Sequence, residues 1–106
     1  MGHPAGPGIA SGTARLIYNP RDLMDFKQGE ILICPGMDPN MTFVIPLAAA
    51  VVEERGGMLI HGAIIARVYG LPCVTGAYDI MKFLETGDQV IVDGYLGIIT
   101  CKTRDI

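Results

Sequence analysis

The amino-acid sequence predicts a mixed α/β domain with a compact sheet and short helices. Three observations support this: short apolar runs of strand type recur along the chain, helix signals are brief and interrupted, and 14 glycines and 7 prolines allow many turns. The chain has 106 residues, 50% of them hydrophobic and 18% charged, which predicts a single domain over residues 1–106 with a real core. This composition argues against intrinsic disorder.

Strand segments are recognised by alternation of apolar and polar residues, or by short apolar runs between turn residues. Residues 13–18 show the alternation, and residues 30–34 form a buried-strand type of run after Gly29. Residues 48–53 are interpreted as a central strand that leads to a glycine pair. Gly94-Tyr95 separates two further segments and indicates a hairpin. The predicted strands therefore cover 13–18, 30–34, 48–53, 73–76 (with its turn), 89–93 and 96–101.

Turn and helix signals fill the gaps between these strands. Residues 6–12 are predicted to be a turn-forming opening, and residues 21–27 a loop or a single helical turn. Asp38-Pro39 is a good helix start, because Asp can cap free N–H groups and Pro suits the first helical position. Pro46 removes an internal hydrogen bond and limits this helix to about residues 40–45. A short helical turn is expected over 79–84, and the tail, 102–106, is expected to fray.

Charge, cysteines and hydropathy exclude several classes of protein. The net charge of −3 and the absence of a basic run argue against nucleic-acid binding. Three widely spaced cysteines without a Cys-x-x-Cys pair argue against a disulfide framework or structural zinc and fit a reducing cytoplasm. The longest apolar run, residues 43–52, is too short to span a bilayer. Residues 1–12 do not resemble a signal peptide.

The most informative stretch is residues 54–67, where Gly56-Gly57 is followed after three apolar residues by His61 and then by a helix pattern. On a helical wheel the large residues fall on one side, which should pack on the core, and the small residues on the other. The small side would allow close approach of a sheet or a partner domain. Gly70 suits a left-handed helix cap, and Pro72 stops the helix. The large residues are Ile64, Ile65, Val68 and Leu71; the small ones are Gly62, Ala63, Ala66 and Gly70.

His61 at the start of a helix is a candidate for phosphoryl chemistry. Free N–H groups and the helix dipole favour an anion there, and the two glycines let backbone approach a phosphate. A neutral imidazole can attack phosphorus and form a covalent intermediate. The alternative is a bare glycine turn with a solvated histidine. The other histidine, His3, is near the terminus, so a multi-histidine metal site is poorly supported.

Other residues of the stretch have structural alternatives to a role in binding phosphate. Arg67 lies about 240° round and about 9 Å along a helix from His61, so it is not expected to contact the same phosphoryl group from that helix. The position of Arg67 is equally consistent with a salt bridge to Glu53 or Glu54, or with a contact to a partner domain. Arg55 lies about as close to His61 in the sequence as Arg67 does, on the side of the glycine pair. The alternative to a role in binding phosphate is that its side chain is simply solvated. Thr42 could donate a hydroxyl to an anion or face solvent.

Two cysteines complete the set of candidate residues. Cys34 and Cys73 each lie in an apolar strand segment. Free cysteines in such surroundings usually behave as small buried hydrophobes. We therefore expect both to belong to the core.

The stretch around His61 resembles the mobile phosphohistidine domain of PEP-utilising enzymes. This family includes pyruvate phosphate dikinase, PEP synthase, enzyme I of the sugar phosphotransferase system and rifampin phosphotransferase. The motif that carries the resemblance is Gly56-Gly57, His61, Ala66-Arg67 and Gly70-Leu71-Pro72. It extends to residues 8–12, 38–42, 87–94 and 97, and so covers almost the whole chain. This constellation is far more specific than a lone glycine-rich loop.

The resemblance implies a compact swivelling β/β/α domain that receives a phosphoryl group on His61 and delivers it to a second site. Gly56, Gly57 and Gly62 would stabilise the phosphoryl oxygens, and Arg67, Arg55 and Thr42 would serve electrostatic or docking roles. The implied partners are an ATP-grasp nucleotide-binding domain and a PEP/pyruvate-binding domain or subunit, with no nucleic acid and no membrane. No cofactor is expected on this domain itself, while ATP and Mg²⁺ are expected on partner domains. The chain would be a component of a phosphotransferase and not a complete enzyme.

Two positions depart from the family pattern. Gly62 follows the histidine where Ala is common, which loosens the helix start slightly, and Ile60 is the departure that matters more. Ile60 precedes the histidine, where Ser or Thr is common, so the orientation of the imidazole would differ. An alternative hypothesis is therefore a non-catalytic swivelling-type binding or structural module with His61 unphosphorylated. A third is a small-anion sensor that uses the glycine pair alone.

Overall fold

A computed structural model of the chain describes residues 3–6, 8–35, 39–54 and 70–102. Within these ranges seven strands share one sheet, accompanied by two 3₁₀ helices and one short α-helix. The strands are β1 (His3–Gly6), β2 (Ile9–Leu16), β3 (Ile31–Cys34), β4 (Ala50–Glu53), β5 (Cys73–Thr75), β6 (Gln89–Asp93) and β7 (Ile98–Cys101). The first 3₁₀ helix is Pro20–Asp25, the second is Pro39–Leu47, and α1 is Ile80–Phe83.

The sheet is mixed, with the strand order β1-β5-β4-β3-β2-β6-β7. Strands β2 to β5 run parallel to one another, whereas β1 is antiparallel to β5. The long strand β2 joins two parts of the sheet. Its residues 9–13 pair antiparallel with β6, and its residues 14–16 pair parallel with β3. Strands β6 and β7 form the predicted hairpin.

Near the point where β2 changes its pairing from β6 to β3, its backbone comes very close to the backbone of Gly29. A Cβ atom on Gly12 would lie 2.7 Å from the carbonyl oxygen of Gly29. Real Cβ atoms do not come this close to backbone oxygen, so glycine is required here for steric reasons. Gly12 thereby lets the turn before β3 pack directly on β2.

The core has one cluster of buried side chains on each face of the parallel strands, as the alternation of side chains along a strand requires. The two 3₁₀ helices cover one of these clusters. They supply Leu23, Val44 and Ile45 to it, and the residues that directly follow the helices supply Phe26 and Ala48. The first cluster is centred on Ala14, Leu16, Ile31, Ile33, Ala50, Val52, Val74, Ile80, Met81, Leu84, Val90 and Val92. The second is centred on Ile17, Leu23, Phe26, Leu32, Cys34, Val44, Ile45, Ala48, Val51 and Cys73.

The predicted fold class, a compact α/β domain with a small mixed sheet and short helices, is confirmed. The strands expected over 30–34, 48–53, 73–76 and 89–93 are all present, and β4 is central because it pairs with β3 and β5. The turn of the hairpin covers residues 94–97 rather than the Gly94-Tyr95 pair alone. Short helical segments occur after Asn19 and after Asp79, as expected.

Two local predictions are wrong. The opening, residues 6–12, is not a run of turns: it holds the end of β1 and the start of β2, because pairing with β5 and β6 overrides the turn preference of glycine. The helix predicted over 40–45 is a 3₁₀ helix that continues through Pro46 to Leu47. Pro46 is exposed, so water can hydrate the carbonyl that its missing N–H leaves unbonded. The helix predicted after His61, the N-cap at Asp38 and residues 103–106 of the tail lie outside the described residues.

Candidate functional site

The carboxyl ends of four parallel strands form one edge of the sheet, which we call the carboxyl edge. Its strand-end residues are Leu16, Cys34, Glu53 and Thr75. Residues 55–69, which contain nearly all of the predicted site, follow β4 at this edge and precede β5. In open α/β sheets, ligands bind at this edge of the strands.

Most predicted site residues lie outside the described part of the chain. His61 is among them, together with Gly56, Gly57, Gly62, Arg55 and Arg67. Their mutual arrangement therefore stays a prediction. The structure does describe the residues from which this segment leaves the sheet and the residues by which it returns.

Thr42 lies in the second 3₁₀ helix, which connects the end of β3 to the start of β4. The last residue of this helix, Leu47, accepts a hydrogen bond at 2.7 Å from the N–H of Gly29, just before β3. The helix thus runs from the carboxyl edge to the opposite edge of the sheet. Thr42 is in its first half and so in the part nearer to the carboxyl edge.

Glu54 is fixed where the chain leaves β4. Its N–H donates to the carbonyl oxygen of Cys34 at 2.9 Å, and its carboxylate Oε2 accepts from the N–H of Met81 at 3.1 Å. The side chain is thus directed to the start of α1. Glu54 is one of the two acids predicted as salt-bridge partners for Arg67. In the structure its Oε2 atom is already bonded to the backbone N–H of Met81.

Glu53 is buried, with 3% of its surface exposed, and its carbonyl oxygen accepts a hydrogen bond at 3.1 Å from Ala77 N–H. It lies on the same sheet face as Cys73. Burial, and secondarily the negative charge of Glu53, raises the pKa of the Cys73 thiol to about 12. Cys73 is thus a protonated, unreactive thiol at neutral pH. Cys34 is also buried, so the prediction that both belong to the core is confirmed.

Met81 connects two of the strand exits at the carboxyl edge. Its N–H is bonded to Glu54, and its carbonyl oxygen accepts a hydrogen bond at 3.4 Å from the hydroxyl of Tyr18, which follows β2. We call Glu54, Met81 and Tyr18 the carboxyl-edge clamp. The sequence did not predict it, because contacts between residues this far apart leave no local pattern.

A second arrangement that the sequence did not predict lies at the opposite edge. Arg15 donates from Nε to Glu30 Oε1 at 3.0 Å and from Nη2 to Oε2 at 2.8 Å, and Lys27 N–H donates to Oε1 at 2.7 Å. Burial raises the pKa of Glu30, but these hydrogen bonds and the positive charges of Arg15 and Lys27 together lower it by more, so the pKa lies below its ordinary value. Both side chains are engaged in hydrogen bonds that hold β2 to the start of β3, so neither is a catalytic candidate.

The described ranges contain neither a cluster of metal ligands nor a membrane-spanning helix. Across the described ranges, no group of three or more His, Cys, Asp or Glu side chains is arranged to hold a metal ion. In the same ranges no helix is long and apolar enough to cross a membrane.

Comparison with known proteins places this fold in context. Residues 26–97 match the family model described as PEP-utilising enzyme, mobile domain. The chain is 38% identical to the phosphoenolpyruvate synthase of Pyrococcus furiosus over 90% of its own length and 12% of that protein. It is also 38% identical to the rifampicin phosphotransferase of Bacillus subtilis over 93% of its own length and 11% of that protein. The chain therefore spans about an eighth of the length of these relatives.

A solved structure shows the same architecture. The solution structure of an Enzyme I (nEIt) protein superposes with a TM-score of 0.65 and 29% sequence identity. The match covers 76% of this chain and 33% of the other. The likeness extends over most of the chain, and the matched region is again part of a longer polypeptide.

Proposed function

Because the chain belongs to the mobile-domain family of PEP-utilising enzymes, we propose that it is a phosphoryl-carrier domain phosphorylated on His61. It relays the phosphoryl group between a nucleotide-binding domain and a pyruvate/PEP-type site on separate domains or subunits. The observation that carries this proposal is His61 behind Gly56-Gly57 in the connection between two parallel strands. That connection starts at the carboxyl edge, where ligands bind in folds of this kind.

The proposed chemistry is two successive transfers at one ring nitrogen. In the first, the lone pair of a neutral His61 nitrogen forms the N–P bond while the P–O bond of the donor breaks. The electron pair of that bond leaves with the oxygen of the nucleotide or of the pyruvate enolate. In the second transfer an acceptor oxygen attacks the same phosphorus, and the N–P electron pair returns to the imidazole. Atoms and charge balance without an oxidant or reductant.

Several residues would assist these transfers. Backbone N–H groups at Gly56, Gly57 and Gly62 would donate to the phosphoryl oxygens, since glycine permits close approach of the backbone. Arg67 and Arg55, and Thr42 in the first half of the second 3₁₀ helix, are assigned electrostatic or docking roles.

The proposal requires other polypeptide parts. The relatives are about eight times as long as this chain, so the complete reaction is assigned to partners: an ATP-grasp domain that binds ATP with Mg²⁺, and a PEP/pyruvate-binding domain. The chain itself is then a component of a phosphotransferase and binds no cofactor of its own. We place its action in the cytoplasm, where ATP and PEP are available.

The two histidines of the chain provide a matched pair of variants for the test. The protein is treated with phosphoramidate, a small phosphoryl donor that needs no partner domain, and with labelled PEP or ATP in the presence of a donor enzyme. We expect one acid-labile, base-stable phosphoryl group on the wild type and on His3→Ala, and none on His61→Ala. An unlabelled wild type, or equal labelling of both variants, contradicts the proposal.

A second candidate function is a non-catalytic binding module with His61 unphosphorylated. The observation that favours it is Ile60, the residue before His61 in the sequence, whose side chain carries no hydroxyl. The matched test is partner binding before and after phosphoramidate treatment, with His61→Ala as the control. Tight binding that is the same for all three samples supports the module, and binding that changes with phosphorylation supports the carrier.

A further inference from the structure

Across the described ranges the sheet ends in two outer strands, β1 and β7, which differ in how open they are to further pairing. An outer strand has N–H and C=O groups that point away from the sheet, and proteins commonly block them with proline, bulges or charged side chains. Strand β1 has two of these features, because Pro4 has no N–H to donate and the register with β5 shifts between Pro4 and Gly6. Strand β7, Ile98–Cys101, contains no proline, glycine or charged residue, and its register with β6 has no shift. Of the two, β7 is therefore the strand that is open to a further strand.

The pairing of β7 with β6 determines which of its backbone groups point outward. Lys102 N–H donates to the carbonyl oxygen of Gln89 at 2.6 Å, so these two residues form a hydrogen-bonded pair. Hydrogen-bonded and non-hydrogen-bonded pairs alternate along an antiparallel ladder. Thr100 therefore directs its N–H and C=O groups to β6, whereas Ile99 and Cys101 direct theirs away from the sheet.

The residues with outward-pointing backbone groups also carry side chains that contact the core. Ile99 and Cys101 are partly buried and pack against the first core cluster, and their neighbours on β6, Val92 and Val90, belong to that cluster. Thr100, on the opposite face of β7, is exposed. One more strand beside β7 would therefore extend the core on one face and leave the other face at solvent.

We propose that β7 is the interface of a homodimer, in which two copies pair antiparallel about a two-fold axis at Thr100. In this register Ile99 lies opposite Cys101 of the partner subunit. Both residues have outward-pointing groups, so each such pair exchanges both N–H···O bonds. Their apolar side chains meet on the core face, and Thr100 meets its own copy on the solvent face, where Thr–Thr pairs are favourable. A shift of one residue would place outward-pointing groups opposite inward-pointing ones and lose these bonds. The strand is thus its own complement, and a second copy is the occupant that fits it.

The charges near β7 are compatible with self-pairing. Residues 98–101 carry none, so no like charges face each other across the axis. Lys102 lies opposite Ile98 of the partner subunit, which keeps the two lysines about 14 Å apart along the strands. In β6, Asp93 is the residue opposite Ile98, so Lys102 of the partner subunit lies in the same row and on the same face as this carboxylate. One short strand from each copy makes a small interface, so we expect a dimer that dissociates on dilution.

The first test measures self-association of the full chain by sedimentation equilibrium, up to about 1 mM because small interfaces give weak complexes. We expect a monomer–dimer equilibrium for the wild type. Thr100→Lys places like charges directly opposite each other at the axis and should raise the dissociation constant about fivefold or more. Ser11→Lys adds the same charge at an exposed position of β2 and should leave the dissociation constant close to that of the wild type. Circular dichroism verifies that both variants are folded.

The second test traps the proposed register. Opposed copies of Thr100 form a non-hydrogen-bonded pair with Cα atoms about 4.5 Å apart, a separation that a disulfide can bridge. Thr100→Cys, combined with Cys101→Ser, should therefore yield a covalent dimer under mild oxidation. Ile98→Cys in the same background is the control, because its two copies would lie about 14 Å apart along the strands. The remaining cysteines, Cys34 and Cys73, are buried and leave the new thiol as the accessible one.

A concentration-dependent dimer that Thr100→Lys weakens, together with crosslinking of Thr100→Cys alone, supports the inference. Equal weakening by Ser11→Lys, or equal crosslinking of Ile98→Cys, overturns this interface. A wild type that stays monomeric at the highest concentration also overturns it and leaves β7 to a segment of another polypeptide. Neither test involves His61, so the result is independent of whether the chain carries a phosphoryl group.

Discussion

Arg15 and Glu30 form a two-bond ion pair that joins β2 to the start of β3. The two N···O distances are 3.0 and 2.8 Å, and the side chains are 19% and 10% exposed. A bidentate guanidinium–carboxylate pair that is mostly shielded from water is stronger than an exposed ion pair. Because Lys27 N–H also donates to Glu30, the carboxylate organises the turn before β3 as well as the strand contact.

Replacing either partner of this pair should destabilise the fold. Arg15→Met leaves the Glu30 carboxylate shielded with only its backbone donor, and Glu30→Gln leaves the guanidinium without its counter-charge. We expect each to lower the free energy of unfolding by about 1–3 kcal/mol, measured by urea denaturation. The double variant should lose less than the sum of the two. Additive losses would show that the pair contributes no coupling energy.

The same pair predicts how stability depends on pH. The pKa of Glu30 in the folded protein lies below its ordinary value of 4.5, so the folded state favours the ionised carboxylate. Its contribution is therefore fully present above the ordinary pKa and is lost as the pH falls through the lower, folded pKa. The stability difference between wild type and Glu30→Gln should be constant from neutral pH to about 5.5 and shrink below about 4.5. A difference that grows on acidification would contradict this sign.

Gly12 should not tolerate a side chain. Its backbone is ordinary, so Gly12→Ala tests only the close approach of a Cβ atom to Gly29 O at 2.7 Å. We expect a loss of about 1–3 kcal/mol in unfolding free energy, the cost of forcing backbone apart in a packed region. Ser11→Ala, at the exposed neighbouring position, is the control and should change stability by less than about 0.5 kcal/mol. Equal effects of both substitutions would show that the contact is relieved without cost.

The sequence predicted the interior strands well because they carry a strong local signal. Residues 31–34 and 50–52 are apolar and buried, as strands that are covered on both faces of a parallel sheet require. The opening glycines and prolines gave the opposite signal, and only pairing with distant strands makes residues 3–6 and 9–12 extended. The path of the second 3₁₀ helix through Pro46 likewise depends on packing against the sheet.

The candidate site likewise has one part that the sequence predicts and one part that it does not. His61 and the glycine pair form a compact motif that sequence reasoning can find. The clamp of Tyr18, Glu54 and Met81 joins residues that are 27 and 63 positions apart. Periodicity and turn chemistry are local, so they indicate which residues form the site and not what holds its surroundings in place.

The three cysteines should differ in their reactivity. With a pKa of about 12, Cys73 has about one part in 10⁴ as thiolate at pH 8, and its burial blocks access as well. Cys34 is buried too, whereas Cys101 is partly exposed. We expect iodoacetamide to label Cys101 in the folded protein and to label Cys34 and Cys73 only after denaturation, as measured by peptide mass spectrometry. Equal labelling of Cys73 and Cys101 under native conditions would contradict the buried placement of Cys73.

Ile60 offers the last test, which concerns the departure from the family pattern. Ile60→Thr introduces a hydroxyl on the residue that precedes His61 in the sequence. If that hydroxyl orients the imidazole or bonds a phosphoryl oxygen, a hydrogen bond to a charged group contributes about 1.5–3 kcal/mol. Part of this gain should appear as faster labelling of His61 by phosphoramidate. Ile60→Val has nearly the shape of Thr without the oxygen, so it controls for the loss of a methylene group. A rate for Ile60→Thr no higher than that for Ile60→Val would mean that this protein positions His61 without help from the preceding side chain.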